Sequence, residues 1–300
     1  MEKLRFGVQL DCSRTAVKKV SEVKKFVDAV SKMGYNALYL YMEDTYEIEG
    51  EPYFGHLRGR FTASELKELD AYCDKKGVEL IPAIQTLAHL MRIFNWSVYK
   101  PLHDIDDIII AGDDKTYALI DKMLATAAKC FKTRTINIGM DEALHLGLGG
   151  YLNRFGYEKR STILAKHLAR VSALCKKHGL NPMMWSDMFI KVANNDDYYP
   201  QKPNYKAISE QKASVPDNVK LIYWDYYHDK KADYERSIKM HECLADDFVF
   251  AGGIRTWNSF APHQKASAKK MQAAMDVCRE RGVKDIIVTT WGDDGNECSQ

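Results

Sequence analysis

Phe6-Gly-Val-Gln-Leu-Asp-Cys-Ser-Arg14 is the stretch on which the fold turns. Phe6–Asp11 is a short, mostly apolar run of the kind that forms a strand covered on both faces. The turn after it, Asp11-Cys12-Ser13-Arg14, contains no glycine. A doubly wound nucleotide-binding sheet usually carries a glycine-rich turn after its first strand. Its absence here favours the other common alternating architecture, a closed (β/α)₈ barrel. Seven more strand-like runs follow: Ala37–Met42, Val78–Ile84, Thr135–Met140, Pro182–Trp185, Val219–Trp224, Phe248–Gly253 and Ile286–Trp291. Amphipathic stretches lie between them. In Ala16–Met33, Val20, Val23, Val27, Val30 and Met33 recur every three or four positions, and Leu164, Leu168, Val171 and Leu174 do the same. Helices rich in basic residues end at Gly34, Gly77, Gly179 and Gly282, each shortly before a strand. Glycine past a helix end takes a left-handed conformation, and basic side chains in the last turn complement the helix dipole.

Composition agrees with one soluble α/β unit. The 300 residues are 46% hydrophobic and 28% charged, which excludes a disordered, collagen-like or coiled-coil chain. The 43 Lys+Arg nearly balance the 41 Asp+Glu, leaving a net charge of +2 and no reason to expect a nucleic-acid partner. Apolar runs such as Ile108–Ala111 are far too short to span a membrane. The start, Met-Glu-Lys-Leu-Arg-Phe-Gly, has no apolar leader, so cytoplasmic residence is the expectation. Seven cysteines without zinc-knuckle spacing read as reduced thiols, and neither metal nor cofactor is expected. Met188–Asn218, with three of the eight prolines, reads as an extended loop with room for a short helix. Only Asp293 to Gln300 follow the eighth strand, so the barrel is expected to lack its final helix. Residues 1–300 then form a catalytic barrel that is the N-terminal part of a longer protein, or a partner covers the last strand, a homodimer being one such arrangement.

Barrel enzymes place their chemistry at the C-terminal ends of the strands. Those ends supply Asp11 and Arg14; Glu43, Asp44 and Tyr46; Gln85 and His89; Asp141, Glu142 and His145; Trp185 and Asp187; Trp224, Asp225 and Tyr226; Arg255 and Trp257; Trp291, Asp293 and Asp294. Acids cluster there, and four of the five tryptophans close strands five to eight. Any one tryptophan is more often a core residue than a ligand wall. Four at equivalent positions point to an aromatic-walled pocket for apolar sugar faces, with carboxylates and an arginine for hydroxyls. Asp141-Glu142 is one of several adjacent acid pairs, and most such pairs are solvated surface. Its place sets it apart, directly after an apolar strand and before the glycine-rich Gly147–Gly150. Neighbours on a regular strand point to opposite faces, so both reach one substrate only if the strand ends near Met140.

At these residues the chain resembles a known family. Ile138-Gly-Met-Asp-Glu-Ala resembles the Gly-x-Asp-Glu signature of glycoside hydrolase family 20, the β-N-acetylhexosaminidases. Leu10-Asp-Cys-Ser-Arg14 resembles the family's first strand end and Ile84-Gln-Thr-Leu-Ala-His89 its third. Trp291-Gly292-Asp293 resembles a Trp-x-Glu pattern with Asp in place of Glu. The likeness covers the barrel, lacks the small α+β domain that often precedes it, and is greatest for the shorter intracellular bacterial branch. It implies hydrolysis of terminal non-reducing β-linked GlcNAc or GalNAc with retention, the substrate's own acetamide oxygen attacking C1. It further implies Glu142 as general acid and then base, and Asp141 as partner of the acetamide N–H. Arg14 and Asp293 would grip hydroxyls, and His89 would orient or polarise Glu142, a structural histidine being an equal alternative. Trp185, Trp224 and Trp291, after strands five, six and eight, would form the walls, and Trp257 joins them by its strand-end position alone. Tyr226, with Tyr227 as alternative, would bond the acetamide carbonyl. His145 reads as structural, and Asp187 and Asp225 as rim residues. The implied partner is an N-acetylhexosamine-terminated oligosaccharide or glycoconjugate.

Three rival readings remain at this stage. A metal-dependent hydrolase on the same barrel would want histidine clusters, and no His-x-His occurs. A phosphosugar enzyme would want glycine-rich turns after strands seven and eight, which only Gly252-Gly253 approaches. A non-catalytic carbohydrate-binding barrel would keep the tryptophans without needing Asp141-Glu142.

Overall fold

A computed structural model describes residues 4–14, 17–257 and 261–293. Eight parallel strands close into one barrel in sequence order. They are β1 (Arg5–Asp11), β2 (Ala37–Tyr41), β3 (Glu79–Ala83), β4 (Thr135–Asn137), β5 (Asn181–Trp185), β6 (Lys220–Trp224), β7 (Phe248–Gly253) and β8 (Asp285–Thr290). Closure is made where β1 pairs with β2 on one side, Gly7 opposite Ala37, and with β8 on the other, Gly7 opposite Ile287. The expected (β/α)₈ architecture is therefore present.

The helices are α1 (Val20–Lys32), α2 (Ala63–Lys75), α3 (Asp114–Cys130), α4 (Gly150–Phe155), α5 (Arg160–Lys177), α6 (Asp187–Ala193), α7 (Tyr205–Gln211), α8 (Lys231–Glu242) and α9 (Gln264–Glu280). Strand alternation sorts side chains between two cores. On β2, Ala37 and Tyr39 point into the barrel with Ile81, Met183, Trp185, Ile222, Val249, Ala251 and Ile287. Leu38 and Leu40 point outward, into the larger layer that the helices cover. Val23, Val27 and Val30, the apolar stripe of α1, are buried there. Helix starts carry the expected signals. Thr62 and Glu65 form a reciprocal capping box on α2, and the Asp113 carboxylate accepts from Lys115 N–H at α3. Gly34, Gly77, Gly179 and Gly282 all take positive φ.

Three boundaries differ from the sequence reading. The first helix begins at Val20, not Ala16, and Ala16 itself lies outside the described residues. The Met188–Asn218 segment is more ordered than a loop, because α6, α7 and a 3₁₀ turn at Lys212–Ser214 occupy much of it. The fourth strand stops at Asn137, three residues short of Met140. Residues 294–300, Asp294 among them, lie outside the described residues, and the expectation of a missing final helix falls on them. Among the described residues no helix is long and apolar enough to cross a membrane. Cys12, Cys73, Cys130, Cys175, Cys243 and Cys278 are free.

Candidate active site

The early end of β4 shapes the centre of the site. Beyond Asn137 the chain leaves the pleat, with positive φ at Gly139 (74°), Met140 (70°) and Glu142 (54°). A Cβ on Gly139 would lie 1.9 Å from the Gln85 amide oxygen and 2.5 Å from its carbon, so only glycine fits against that side chain. Freed from strand alternation, Asp141 and Glu142 both line one cavity of about 250 Å³ at the strand ends. Its other walls are Arg14, Tyr41, His89, Trp185, Trp224, Tyr226, Tyr227, Trp257, Trp291 and Asp293. Every substrate-binding and catalytic candidate named from the sequence thus borders the same space. Tyr41 is an addition. It sits two residues beyond the inward-facing Tyr39, and that alternation was a usable signal.

Asp141 is gripped from two sides. Its Oδ1 accepts from Gln85 Nε2 at 2.9 Å, and its Oδ2 lies 3.2 Å from His89 Nε2. Gln85 also donates to the Tyr41 hydroxyl at 2.9 Å and accepts from Met140 N–H through its oxygen at 3.2 Å. The other ring nitrogen of His89 is 3.3 Å from Asp107 Oδ2, and Nε2 is 3.9 Å from Glu142 Oε2. Burial opposes charge on His89, but the carboxylates of Asp141 and Asp107 outweigh it and hold the imidazole pKa well above its ordinary value. Burial would raise Asp141, yet His89 and Gln85 hold it below the usual carboxylate range. Glu142 goes the other way. Burial first, and then the Asp141 charge, push its carboxyl up. Asp107 escaped sequence reading because it belongs to a loop whose Asp106-Asp107 pair looks like solvated surface.

The aromatic wall is continuous. Trp185 lies 5.9 Å from Trp291, and Tyr41 meets Trp291 edge-on at 4.9 Å. Tyr226 stacks on Trp224 at 5.4 Å and meets Trp257 edge-on at 5.1 Å. Arg14 stands between Glu43 at 3.6 Å and Asp293 at 3.7 Å. Burial pushes the Glu43 carboxyl up to about 8 even with Arg14 beside it. Asp11 ties the two ends of this wall together, its carboxylate accepting from Ser13 N–H and from Gly292 N–H, each at 2.8 Å.

Two residues expected at the rim are instead buried supports. The Asp187 carboxylate is fully buried and accepts from the Glu142 backbone N–H at 3.1 Å and from Lys191 at 3.2 Å. The Asp225 carboxylate, 2% exposed as a residue, accepts from Tyr227 N–H, His228 N–H, the Tyr223 hydroxyl and His228 Nδ1. Both follow a strand end closely, Asp187 as the first residue of α6 and Asp225 just after β6. His145 is 2.6 Å from Asp106 on the exposed side of the loop and does not border the cavity. The glycine-rich loop after Glu142 hangs on Asp104, whose carboxylate accepts from the N–H groups of Gly147, Gly149 and Tyr151. Among the described residues, no three His, Cys, Asp or Glu side chains are grouped as a metal would require.

The family model for glycosyl hydrolase family 20, catalytic domain, matches residues 5–293. The chain belongs to glycosyl hydrolase family 20. Among its curated relatives, hexosaminidase D of Bos taurus is 23% identical over 310 residues, covering 95% of this chain and 83% of that protein. Hexosaminidase D of Homo sapiens is 23% identical over 231 residues, covering 74% of this chain and 45% of that protein. The chain thus spans under half of the human relative. The Bacteroides fragilis β-N-acetylhexosaminidase structure superposes with a TM-score of 0.72 at 19% identity, over 98% of this chain and 62% of that one. The Vibrio harveyi family 20 exo β-N-acetylglucosaminidase, solved with N-acetylglucosamine, gives 0.69 at 16% identity, over 98% and 51%. Both share the barrel fold with this family 20 chain.

Proposed function

We propose that this barrel is an exo-acting β-N-acetylhexosaminidase that releases terminal non-reducing β-GlcNAc or β-GalNAc from oligosaccharides or glycoconjugates with retention at C1. One observation carries the reading. Two adjacent carboxyls border one cavity while their surroundings push them in opposite directions, Asp141 down and Glu142 up. Such a split is what acid and base assignments need.

In the proposed reaction the acetamide carbonyl oxygen of the substrate attacks C1 as the glycosidic bond breaks. The proton carried by Glu142 passes to the departing oxygen. Asp141 accepts the acetamide N–H, orients the group, and offsets the positive charge that spreads over the forming oxazolinium ring. Glu142, now a carboxylate, takes a proton from the incoming water, which opens the ring at C1 and regenerates both the sugar and the acid. His89, held cationic between Asp107 and Asp141, keeps Asp141 ionised through the cycle. Trp185, Trp224, Trp257 and Trp291 shape the sugar pocket, Arg14 and Asp293 grip hydroxyls, and Tyr226 supports the acetamide.

Proton NMR of the reaction on an aryl β-N-acetylglucosaminide tests this. The β-anomer of N-acetylglucosamine should appear first and mutarotate later. First release of the α-anomer would sink the mechanism. Binding without turnover would favour a carbohydrate-binding barrel.

A further inference from the structure

From the sequence, Glu43 and Asp44 read either as substrate contacts or, equally, as grips on loop backbone. In the structure both acids are buried, at 2% and 1% exposure. They converge on Arg14 by different routes. Glu43 faces the guanidinium at 3.6 Å. Asp44 Oδ1 lies 3.3 Å from Nη1 of Arg58, a residue further along the same loop. The Nη2 of that arginine donates to the backbone carbonyl of Arg14 at 2.5 Å. One acid therefore addresses the Arg14 side chain and the other, through Arg58, its main chain. The loop is itself seated on Asp44, since a Cβ on Gly55 would lie 2.1 Å from the Asp44 carbonyl oxygen. Arg14 Nε is buried with no hydrogen-bond partner among the described residues, while the residue itself borders the cavity.

We propose that Arg58, together with Glu43 and Asp44, is a positioning device that holds Arg14 ready for the substrate. The inference rests on the hexosaminidase reading for what Arg14 grips. An arginine is long and loses much rotamer freedom when it orders. Ordering one such side chain at binding is worth roughly three- to tenfold in affinity. Fixing it beforehand removes that penalty. The grip on sugar hydroxyls is present in both ground and transition states, so its loss should fall on KM rather than on kcat.

Arg58→Gln should raise KM for an aryl β-N-acetylglucosaminide by roughly three- to tenfold, with kcat within about twofold of wild type. Asp44→Asn, which keeps the volume, should do the same and serves if Arg58→Gln fails to fold. In an Arg14→Ala background Arg58→Gln should have no further effect on KM, because the group it positions is gone. Additive losses in that background, or a fall in kcat with KM unchanged, would overturn the proposal. A second readout needs no turnover. In protein labelled with ¹⁵N at arginine Nε, the Arg14 N–H signal should lose order in Arg58→Gln and Asp44→Asn, and unchanged order would overturn the clamp. If wild type turns over no β-N-acetylhexosaminide, the functional reading falls, while the NMR experiment still decides whether the clamp exists.

Discussion

Replacing Glu43 by glutamine should make the stability of the fold less sensitive to pH. Glu43 is 2% exposed, and its carboxyl is raised from an ordinary 4.5 to about 8. Burial is the main cause, and Arg14 only partly counters it. The sign follows from linkage. Below pH 4.5 the group is protonated in both folded and unfolded chains and has no effect. Between 4.5 and 8 the unfolded chain ionises while the folded one stays neutral, so stability falls as pH rises. Above 8 both ionise and the loss levels off. The gap is roughly three and a half pH units, and at about 1.4 kcal/mol per unit the loss is on the order of 5 kcal/mol. Glutamine fills the same space without titrating. Urea unfolding at pH 5, 6, 7 and 8 should therefore show wild type losing stability relative to Glu43→Gln by about 1.4 kcal/mol per unit. The other titrating groups are common to both proteins and cancel in the difference. Parallel pH profiles would mean that Glu43 stays ionised against Arg14 throughout, and that the ion pair outweighs burial.

Glu142→Gln should lose at least ~10²-fold more rate on a disaccharide than on an activated aryl glycoside, because only the poor leaving group needs a proton; equal losses would make Glu142 structural. Asp141→Asn should lower kcat by roughly 10²- to 10³-fold, the scale of one lost transition-state partner. It should also bind a thiazoline mimic of the oxazolinium much more weakly than wild type, while binding of the plain sugar product suffers less. Thiazoline affinity equal to wild type would remove Asp141 from the acetamide. Exhaustive chelation should leave activity intact, and loss restored by zinc or manganese would move the reading to metal-assisted hydrolysis.

The fold was legible because its signals are local. Eight apolar runs, basic helix ends and terminal glycines all depend on near neighbours, and each strand was placed to within a few residues. Thr135–Met140 fails for an instructive reason. Ile138 and Met140 are fully buried, so hydrophobicity continues after the strand geometry has ended. What stops the strand is Gln85 packed against Gly139, a contact made 54 positions away in sequence. The cavity's walls were readable as strand ends, since topology alone brings those together. The supports were not. Asp107, Asp187 and Asp225 owe their roles to the contacts they make, with His89, with the Glu142 N–H, and with Tyr223 and His228, which an aspartate's place in the sequence does not reveal.

The backbone around the acid carries a history of its own. Met140 and Glu142 hold left-handed φ values of 70° and 54°, a conformation that costs a non-glycine residue roughly 1–2 kcal/mol. Glycine at position 142 would relieve that strain while deleting the acid. On the proposed mechanism, catalysis and folding therefore select in opposite directions at position 142. A lineage no longer selected for hydrolysis should accept glycine at position 142, gaining stability where it does, whereas Trp185, buried at the C-terminal end of β5, should persist long after the activity has been lost.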